Sequence, residues 1–202
     1  MCKRSIVAAL SLLVVAGCAT RHTEETGTPA HSNPIVIDQF AVSPGVITLD
    51  PTLGYSLNRG APGVPRRERA EAVGRAAAFN LGDAIRRELQ GLGYDVVSGD
   101  EAAVQSAERA LIVSGAFRHI DEGRRHEGAS VAVDVTIEFE DAGQPPHRLT
   151  AFTLTSQRLP REDLVPASGR RGEDVNYEAS RVGAAVGRYV AQLAQTDHWP
   201  GG

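Results

Sequence analysis

The side chains best suited to chemistry are concentrated in one polar segment, residues 119–127, which we call the candidate loop. It joins two apolar runs and contains two histidines, three carboxylates and two arginines. The candidate interaction residues in it are His119, Asp121, Glu122, Arg124, Arg125, His126 and Glu127. Imidazole and carboxylate groups are ligands for zinc and similar ions, so His119, Asp121, His126 and Glu127 could in principle bind a metal.

Two other interpretations of the candidate loop remain open. Arg124 and Arg125 could hold a carboxylate or a phosphate through paired hydrogen bonds, which would make the segment a recognition loop. The simplest interpretation is a solvated connection between two strands, with charges of both signs. We favour this one, because the two arginines would repel a cation and the sequence has no H-E-x-x-H motif. We therefore expect no metal site.

The rest of the chain carries no recognisable catalytic arrangement. Ser114 lies within an apolar run and not in a G-x-S-x-G turn. Gly91 and Gly93 follow the end of a predicted helix, whereas a dinucleotide-binding fingerprint opens one. The only cysteines are Cys2 and Cys18, both near the N-terminus. The sequence therefore predicts a protein that is not an enzyme and that has no cofactor.

The first eighteen residues resemble the leader of a bacterial lipoprotein. Lys3 and Arg4 precede an apolar run, Ile6–Val14, that is too short to span a bilayer. Small residues then lead directly to Cys18, as in a lipobox, where the cysteine is acylated and the peptide before it is removed. The resemblance implies a signal peptide at residues 1–17, acyl (palmitate) chains on Cys18, and attachment to a membrane through those chains.

The residue after the cysteine and the charge of the chain bear on its location and partners. Ala19 stands where aspartate would retain a Gram-negative lipoprotein in the inner membrane, so we expect an outer-membrane anchor facing the periplasm. The formal net charge is −4, and loss of Lys3 and Arg4 with the leader makes it −6. Such a chain is a poor ligand for nucleic acid. We expect an envelope protein as partner and no nucleic acid.

Composition divides the remainder of the chain into a tether, one domain and a tail. Residues 18–33 hold the acylated cysteine followed by a polar stretch without large apolar side chains, which is typical of a flexible tether. Residues 34–197 are long enough for one domain with a hydrophobic core. Residues 198–202 are interpreted as a tail.

Hydrophobic patterns predict the order β-α-β-α-β-β-β-α within this domain. In residues 66–92 apolar side chains recur at every fourth position, as in a helix with one buried face. Residues 130–140 alternate between apolar and polar side chains, as in a strand with one face in water. The other predicted strands are 35–42, 46–49, 94–98, 110–117 and 149–155, the other helices are 101–108 and 174–195, and a long loop spans 50–65.

These elements predict a single-domain α/β (α+β) fold, with a mixed β-sheet of about five strands and helices packed mainly on one face. The first strand–helix–strand unit should be parallel and the later strands an antiparallel meander. Among the helical side chains, the spacing assigns Leu92 and Tyr189 to the buried stripes. Gly74 and Gly82 interrupt the first helix, and either could allow another element to approach closely.

The central part of the domain resembles a bacterial lipoprotein family that carries a domain of unknown function, the one numbered 4410. The similarity lies in the stretch from Leu111 to Arg125, where a G-x-F-x-x-I-D-E-G-N-R pattern has Arg124 in place of the asparagine. It spans roughly residues 35–155, and the glycine-rich part that follows in the family is reduced to residues 128–130. The resemblance implies an envelope lipoprotein and no established activity.

Taken as a whole, the sequence favours a membrane-anchored, non-enzymatic lipoprotein that binds a partner in the cell envelope. The expected binding surface combines the candidate loop with the 50–65 loop. One alternative is an accessory subunit of a lipid or export transporter, which predicts an apolar groove beside the long helix. A less favoured alternative is a metal-dependent enzyme that uses the candidate loop.

Overall fold

A computed structural model of the chain describes residues 34–51, 64–99, 109–123, 128–141, 144–160 and 175–196. The strands among them are β1 (Ile35–Ile37), β2 (Ile47–Thr48), β3 (Val96–Ser98), β4 (Arg109–Asp121), β5 (Ser130–Asp141) and β6 (His147–Thr155). The helices are α1 (Arg66–Gly91) and α2 (Val175–Thr196), and short 3-10 turns are formed by Pro44–Val46 and Ser156–Arg158. The predicted helix at 101–108 lies outside the described residues.

The described strands form one mixed sheet in the order β3-β1-β4-β5-β6. β1 pairs in parallel with β3 and with β4, whereas β4, β5 and β6 pair antiparallel. β2 pairs in parallel with the far end of β4. The predicted mixed sheet, its parallel first unit and its antiparallel meander are therefore confirmed, and β2 adds a short sixth strand.

The core lies between the sheet and the two helices, which pack against each other and against the same sheet. The alternation predicted for β5 is confirmed: its inward side chains from Val131 to Ile137 are at most 1% exposed. On α1, the side chains of Ala77, Leu81, Ile85 and Leu89 are fully buried. Apolar side chains at every fourth helical position and every second strand position thus meet in one layer.

Two side chains that the helical spacing assigned to the core lie on the surface instead. Leu92 is 42% exposed, because α1 ends at Gly91 and the chain leaves the helix through Gly93, whose φ is 88°. Tyr189 is 41% exposed at the rim of α2, where its ring lies 4.5 Å from that of Phe152, centroid to centroid. Both predictions were wrong, because the spacing of apolar residues does not show where the buried face of a helix ends.

The two glycines of α1 have different surroundings. A Cβ atom at Gly74 would lie 2.8 Å from Val42 and 2.9 Å from Ile47, so a glycine here lets the segment around β2 approach the helix. A Cβ atom at Gly82 would meet nothing within 4 Å. The predicted close approach is therefore confirmed at Gly74 and wrong at Gly82.

Candidate functional site

The first residues of the candidate loop belong to a strand. β4 continues to Asp121, four residues beyond the predicted end at Phe117, with a register irregularity just after Phe117. The extension is paired on both sides, antiparallel with β5 from His119 to Asp121 and parallel with β2 at Ile120 and Asp121. His119 and Asp121 are partly exposed on this extension, with Nε2 and Oδ2 3.7 Å apart.

Among the candidate loop residues that the structure describes, Glu122 differs most from the predicted solvated connection. It is only 5% exposed. Its Oε2 lies 2.6 Å from a terminal guanidinium nitrogen of Arg69 on α1 and accepts a hydrogen bond of 2.8 Å from the backbone N–H of Asp50. The backbone N–H of Glu122 donates to the carbonyl of Thr48 at 3.0 Å. The carboxylate is thus part of the framework and not of a free loop.

Asp50, Arg69 and Glu122 together form what we call the loop base. Asp50 is 4% exposed and stands at the start of the 50–65 loop, whereas Glu122 stands inside the candidate loop. Gly123 follows with a φ of 73°, and its N–H donates to Asp121 Oδ1 at 2.8 Å, so the chain turns directly after the base. The two segments expected to form one binding surface therefore leave the fold side by side.

Several predicted site residues lie outside the described residues, namely Cys18, Arg124, Arg125, His126 and Glu127. Most of the 50–65 loop lies outside them as well. Within the described part of the chain, no group of three or more histidine, cysteine, aspartate or glutamate side chains is placed to hold a metal ion. Of the seven candidate loop residues, the structure thus places His119, Asp121 and Glu122.

Sequence reasoning missed Asp50 and Arg69. The burial of Glu122 could have been predicted from the sequence. Side chains two positions apart in extended chain lie on the same face, and Ile120, two positions before Glu122, points into the core. An acid on a buried face requires a cation, which in principle points to an arginine on a neighbouring element. Nothing local identifies Arg69 among the arginines of α1, since its pairing depends on the tertiary arrangement.

A second buried ion pair lies on α2. The Glu178 and Arg181 side chains are 2% and 9% exposed, and one guanidinium nitrogen of Arg181 lies 3.0 Å from each carboxylate oxygen. The other terminal nitrogen donates to the carbonyls of Leu159 and Pro160 at 3.3 and 3.2 Å. This pair attaches the segment after β6 to α2 and lines a small polar cavity of about 150 Å³.

A groove also runs beside α1, where the transporter interpretation expects one. A cavity of about 270 Å³ lies between α1 and the carboxyl ends of β1 and β3, and one of about 410 Å³ continues it toward β2. The lining is mixed in character. It includes the apolar Phe40 and Phe79 together with Asp38, Arg75 and Arg86.

The comparisons with known proteins do not identify the chain. No family model matches it, and no curated protein matches it significantly. None of the helices in the described ranges is long and apolar enough to cross a bilayer.

Several solved structures are distantly similar. A Xanthomonas campestris protein of the family DUF330 is 13% identical, with 82% of this chain and 89% of that one covered and a TM-score of 0.41. The PelC dodecamer from Paraburkholderia phytofirmans is 18% identical (76% and 85% covered, TM-score 0.32). A neuraminyllactose-binding hemagglutinin homolog from Helicobacter pylori is 10% identical (86% and 90% covered, TM-score 0.35). At these values the similarities assign neither a family nor an activity.

Proposed function

We propose that this chain is a lipid-anchored, non-enzymatic envelope protein that binds a protein partner at the surface above the loop base. The observation that carries the proposal is that buried Glu122 joins Arg69 and the backbone of Asp50. This contact fixes the roots of the 50–65 loop and the candidate loop next to each other. Two loops whose first residues are held next to each other lose less conformational entropy on association than two independent loops would.

The charged residues of the candidate loop suit recognition of a protein. Arginine is enriched in the buried parts of protein interfaces, and its guanidinium binds carboxylates through two parallel hydrogen bonds. Arg124 and Arg125 follow directly after the turn at Gly123. A partner with exposed carboxylates is therefore the best match for this surface.

Charge reversal tests the surface. The variant carries Arg124→Glu, Arg125→Glu and Glu127→Arg, and the control carries Arg109→Glu, which changes the net charge by the same amount at the opposite end of β4. Both are expressed as the full chain, crosslinked in intact cells, and their crosslinked proteins are identified by mass spectrometry. We expect the loop variant to lose a partner that the wild-type chain and the control retain. An unchanged set of partners would assign binding to another surface.

The membrane anchor is proposed from the resemblance of residues 1–18 to a lipoprotein leader. The two cysteines of the chain supply a matched pair of variants, Cys18→Ser and Cys2→Ser. We expect Cys18→Ser to abolish incorporation of a labelled fatty acid and to release the chain from the outer-membrane fraction. Cys2→Ser, within the segment removed from the mature protein, should change neither. Acylation that persists in Cys18→Ser would refute the proposed anchor.

A second candidate function, an accessory subunit of a lipid or export transporter, draws support from the groove beside α1. Phe79 at its border is 71% exposed, which suits contact with an apolar ligand. Mass spectrometry of lipids that copurify with Cys18→Ser tests this function, with Phe79→Asp as the groove variant and Leu92→Asp as an exposed control on the same side of the sheet. Bound lipid lost only in Phe79→Asp would favour this function, and absence of bound lipid in all three would reject it.

A further inference from the structure

The two edges of the described sheet differ in length. β3 closes one edge with only three residues, whereas β6 forms the other with nine. Within the described ranges, β6 pairs with β5 on one side and with no strand on the other. From Leu149 to Leu154 the side chains of β6 alternate between exposed and partly buried, as in a strand with one face toward the helices and one toward solvent. An unpaired edge strand offers a row of backbone hydrogen-bonding groups to another strand.

Beyond Leu149, β6 lacks the features that usually prevent such pairing. Natural edge strands are protected by short length, charged side chains, proline or a bulge. The run Leu149–Thr155 contains neither proline nor an ionisable side chain, and its three threonines and one phenylalanine are residue types that favour strands. The register irregularity with β5 lies at Leu149, so Thr150–Thr155 remain regular.

Exposed apolar side chains lie beside this edge. Leu149 is 40% exposed, and Tyr189 of α2, 41% exposed, lies against Phe152. Two of the five exposed large apolar side chains in the described residues therefore border one strand edge. Aromatic side chains with adjacent backbone donors and acceptors are typical of interfaces formed by strand addition.

We propose that β6 pairs antiparallel with β6 of a second copy of this chain about a two-fold axis, which joins the two sheets into one. Ala151 is the middle residue of the strand, so an axis through it overlaps the two strands fully and leaves the irregularity at Leu149 outside the central pairs formed by residues 150–152. This register places Thr150 opposite the partner's Phe152 and Leu149 opposite the partner's Thr153. Pairs of an aromatic with a β-branched residue stabilise neighbouring strands.

Charge decides between a second copy and a charged peptide as the occupant. A two-fold axis places equivalent residues close together, so a charged strand would repel itself, whereas Leu149–Thr155 brings no like charges together. Arg148 would lie opposite the partner's uncharged Leu154. The same uncharged run offers nothing that would select an acidic or a basic peptide. The edge is therefore complementary to itself.

Crosslinking through a single introduced cysteine tests the two-fold axis. Ala151→Cys and, as control, Gln90→Cys on the exposed side of α1 are expressed as the full chain in cells and treated with a short bismaleimide. We expect a crosslinked pair of chains for Ala151→Cys, above the background of the unsubstituted chain, and none for Gln90→Cys. Absence of the pair, or a crosslink from position 151 to a different protein instead, would overturn the proposal.

Charge complementation tests the contact independently of crosslinking. The full chain purified in detergent should have the protein mass of two copies in sedimentation velocity. Ala151→Lys and Ala151→Glu, each alone, should lose the dimer, and their mixture should recover it. Circular dichroism of both variants should match that of the wild-type chain, since position 151 is exposed. A dimer that survives Ala151→Lys, or a wild-type chain that is monomeric, would refute pairing through β6.

Discussion

Two ion pairs are much more buried than the other ion pairs among the described residues. The Arg69–Glu122 side chains are 18% and 3% exposed and those of Arg181–Glu178 are 9% and 2% exposed, whereas Arg67–Glu71 is 84% and 36% exposed. A charge that loses its partner inside a protein remains desolvated and uncompensated, which costs far more than the loss of a surface pair. Arg69–Glu122 joins two distant segments directly, and Arg181, held by Glu178, donates to the carbonyls of Leu159 and Pro160, so loss of either pair should affect a whole region.

Removal of Glu122 or Arg69 should therefore destabilise the domain strongly. Arg69→Met leaves the buried carboxylate of Glu122 without its cation and should lower the free energy of unfolding by about 3 kcal/mol. Arg67→Met, two positions earlier on α1, breaks an exposed pair and should cost less than about 0.5 kcal/mol. Urea unfolding followed by circular dichroism measures both.

The double variant Arg69→Met/Glu122→Gln removes both charges and should recover part of the loss, because no uncompensated charge remains. If Arg69→Met and Arg67→Met cost the same, or if the double variant is as unstable as the sum of its single variants, the pair does not hold the loop base together.

Tyr94, two residues before β3, connects this part of the chain to α2, since its hydroxyl donates to the carbonyl of Ala191 at 3.3 Å. Burial raises the pKa of this phenol above its ordinary value, opposed by a hydrogen bond to Gln195. The folded state therefore keeps its proton at a pH where the unfolded chain has lost it. Stability from this group is complete below about pH 10, the ordinary pKa of tyrosine, and falls as the pH rises beyond that value.

Tyr94→Phe should remove this contribution to alkaline unfolding. At neutral pH the variant loses one buried hydrogen bond and should be less stable by about 1 kcal/mol. Above about pH 10 the difference from wild type should shrink, because phenylalanine has no proton to lose. Urea midpoints measured between neutral pH and pH 11 test this, with the exposed Tyr189→Phe as control. A difference that stays constant over this range would contradict the prediction.

The loop base shows what sequence can and cannot predict at this scale. The candidate loop was identified because its polar side chains interrupt two apolar runs. The structure divides it into a strand extension, with His119 and Asp121, and a buried acid, Glu122. Those roles depend on the pairing of the end of β4 with β5 on one side and with β2, a strand of two residues, on the other, and the second pairing is set by the tertiary fold. A pairing this short leaves almost no pattern in the sequence.

Close packing of the two helices depends on small residues at their contact. A Cβ atom at Gly183 of α2 would meet the backbone carbonyl of Leu81 and lie 2.9 Å from the Cβ of Ala84. A Cβ atom at Gly187 would lie 2.8 Å from the Cβ of Glu88. The periodicity of both helices was sufficient to predict their ranges to within one residue and most of their buried stripes, but not the exposure of Leu92 and Tyr189. It could not predict which glycines lie at the contact, because that depends on the distance and angle between the two axes.

Alanine at two helical glycines should therefore have opposite effects. Gly82→Ala adds a methyl group in open space and raises helix propensity, so it should stabilise the domain by up to about 1 kcal/mol. Gly183→Ala pushes a methyl group against backbone that cannot rotate away, and overpacking of this kind costs about 1–3 kcal/mol. Thermal unfolding of both variants, each compared with wild type, measures the sign of the change in stability. Stabilisation by both substitutions would mean that the two helices can move apart without loss of stability, which would contradict the prediction.

At the scale of the whole molecule, the proposed anchor, partner surface and self-pairing edge belong to different segments of the chain. The anchor is proposed at Cys18, on a tether of polar residues before β1. The proposed partner surface is at the loop base, next to the end of β4 that pairs with β2, and the proposed self-pairing edge is β6, beyond β5 in the sheet. Because β6 and the loop base share no residue, a chain could pair with a second copy and bind a partner at the same time.

If acyl chains on Cys18 are the only direct attachment to the bilayer, one cut in the tether should free the domain. A site for a sequence-specific protease placed within residues 19–33 should, after cleavage of isolated membranes, release the rest of the chain into the soluble fraction. Two or three acyl chains hold firmly at about 0.8 kcal/mol per buried CH₂, and they would stay behind with the short N-terminal piece. The same site placed after Gly202 serves as control, since its cleavage should leave the chain on the membrane.

The salt dependence of this release then separates a partner from a second anchor. A cleaved domain that remains on the membranes but dissociates in high salt is held by charged contacts, such as those expected of Arg124 and Arg125, because screening weakens contacts between exposed charges. Combining the tether cut with the triple charge reversal of the candidate loop should then release it at low salt too. A cleaved domain that withstands both high salt and an alkaline carbonate wash would contradict a single anchor at Cys18.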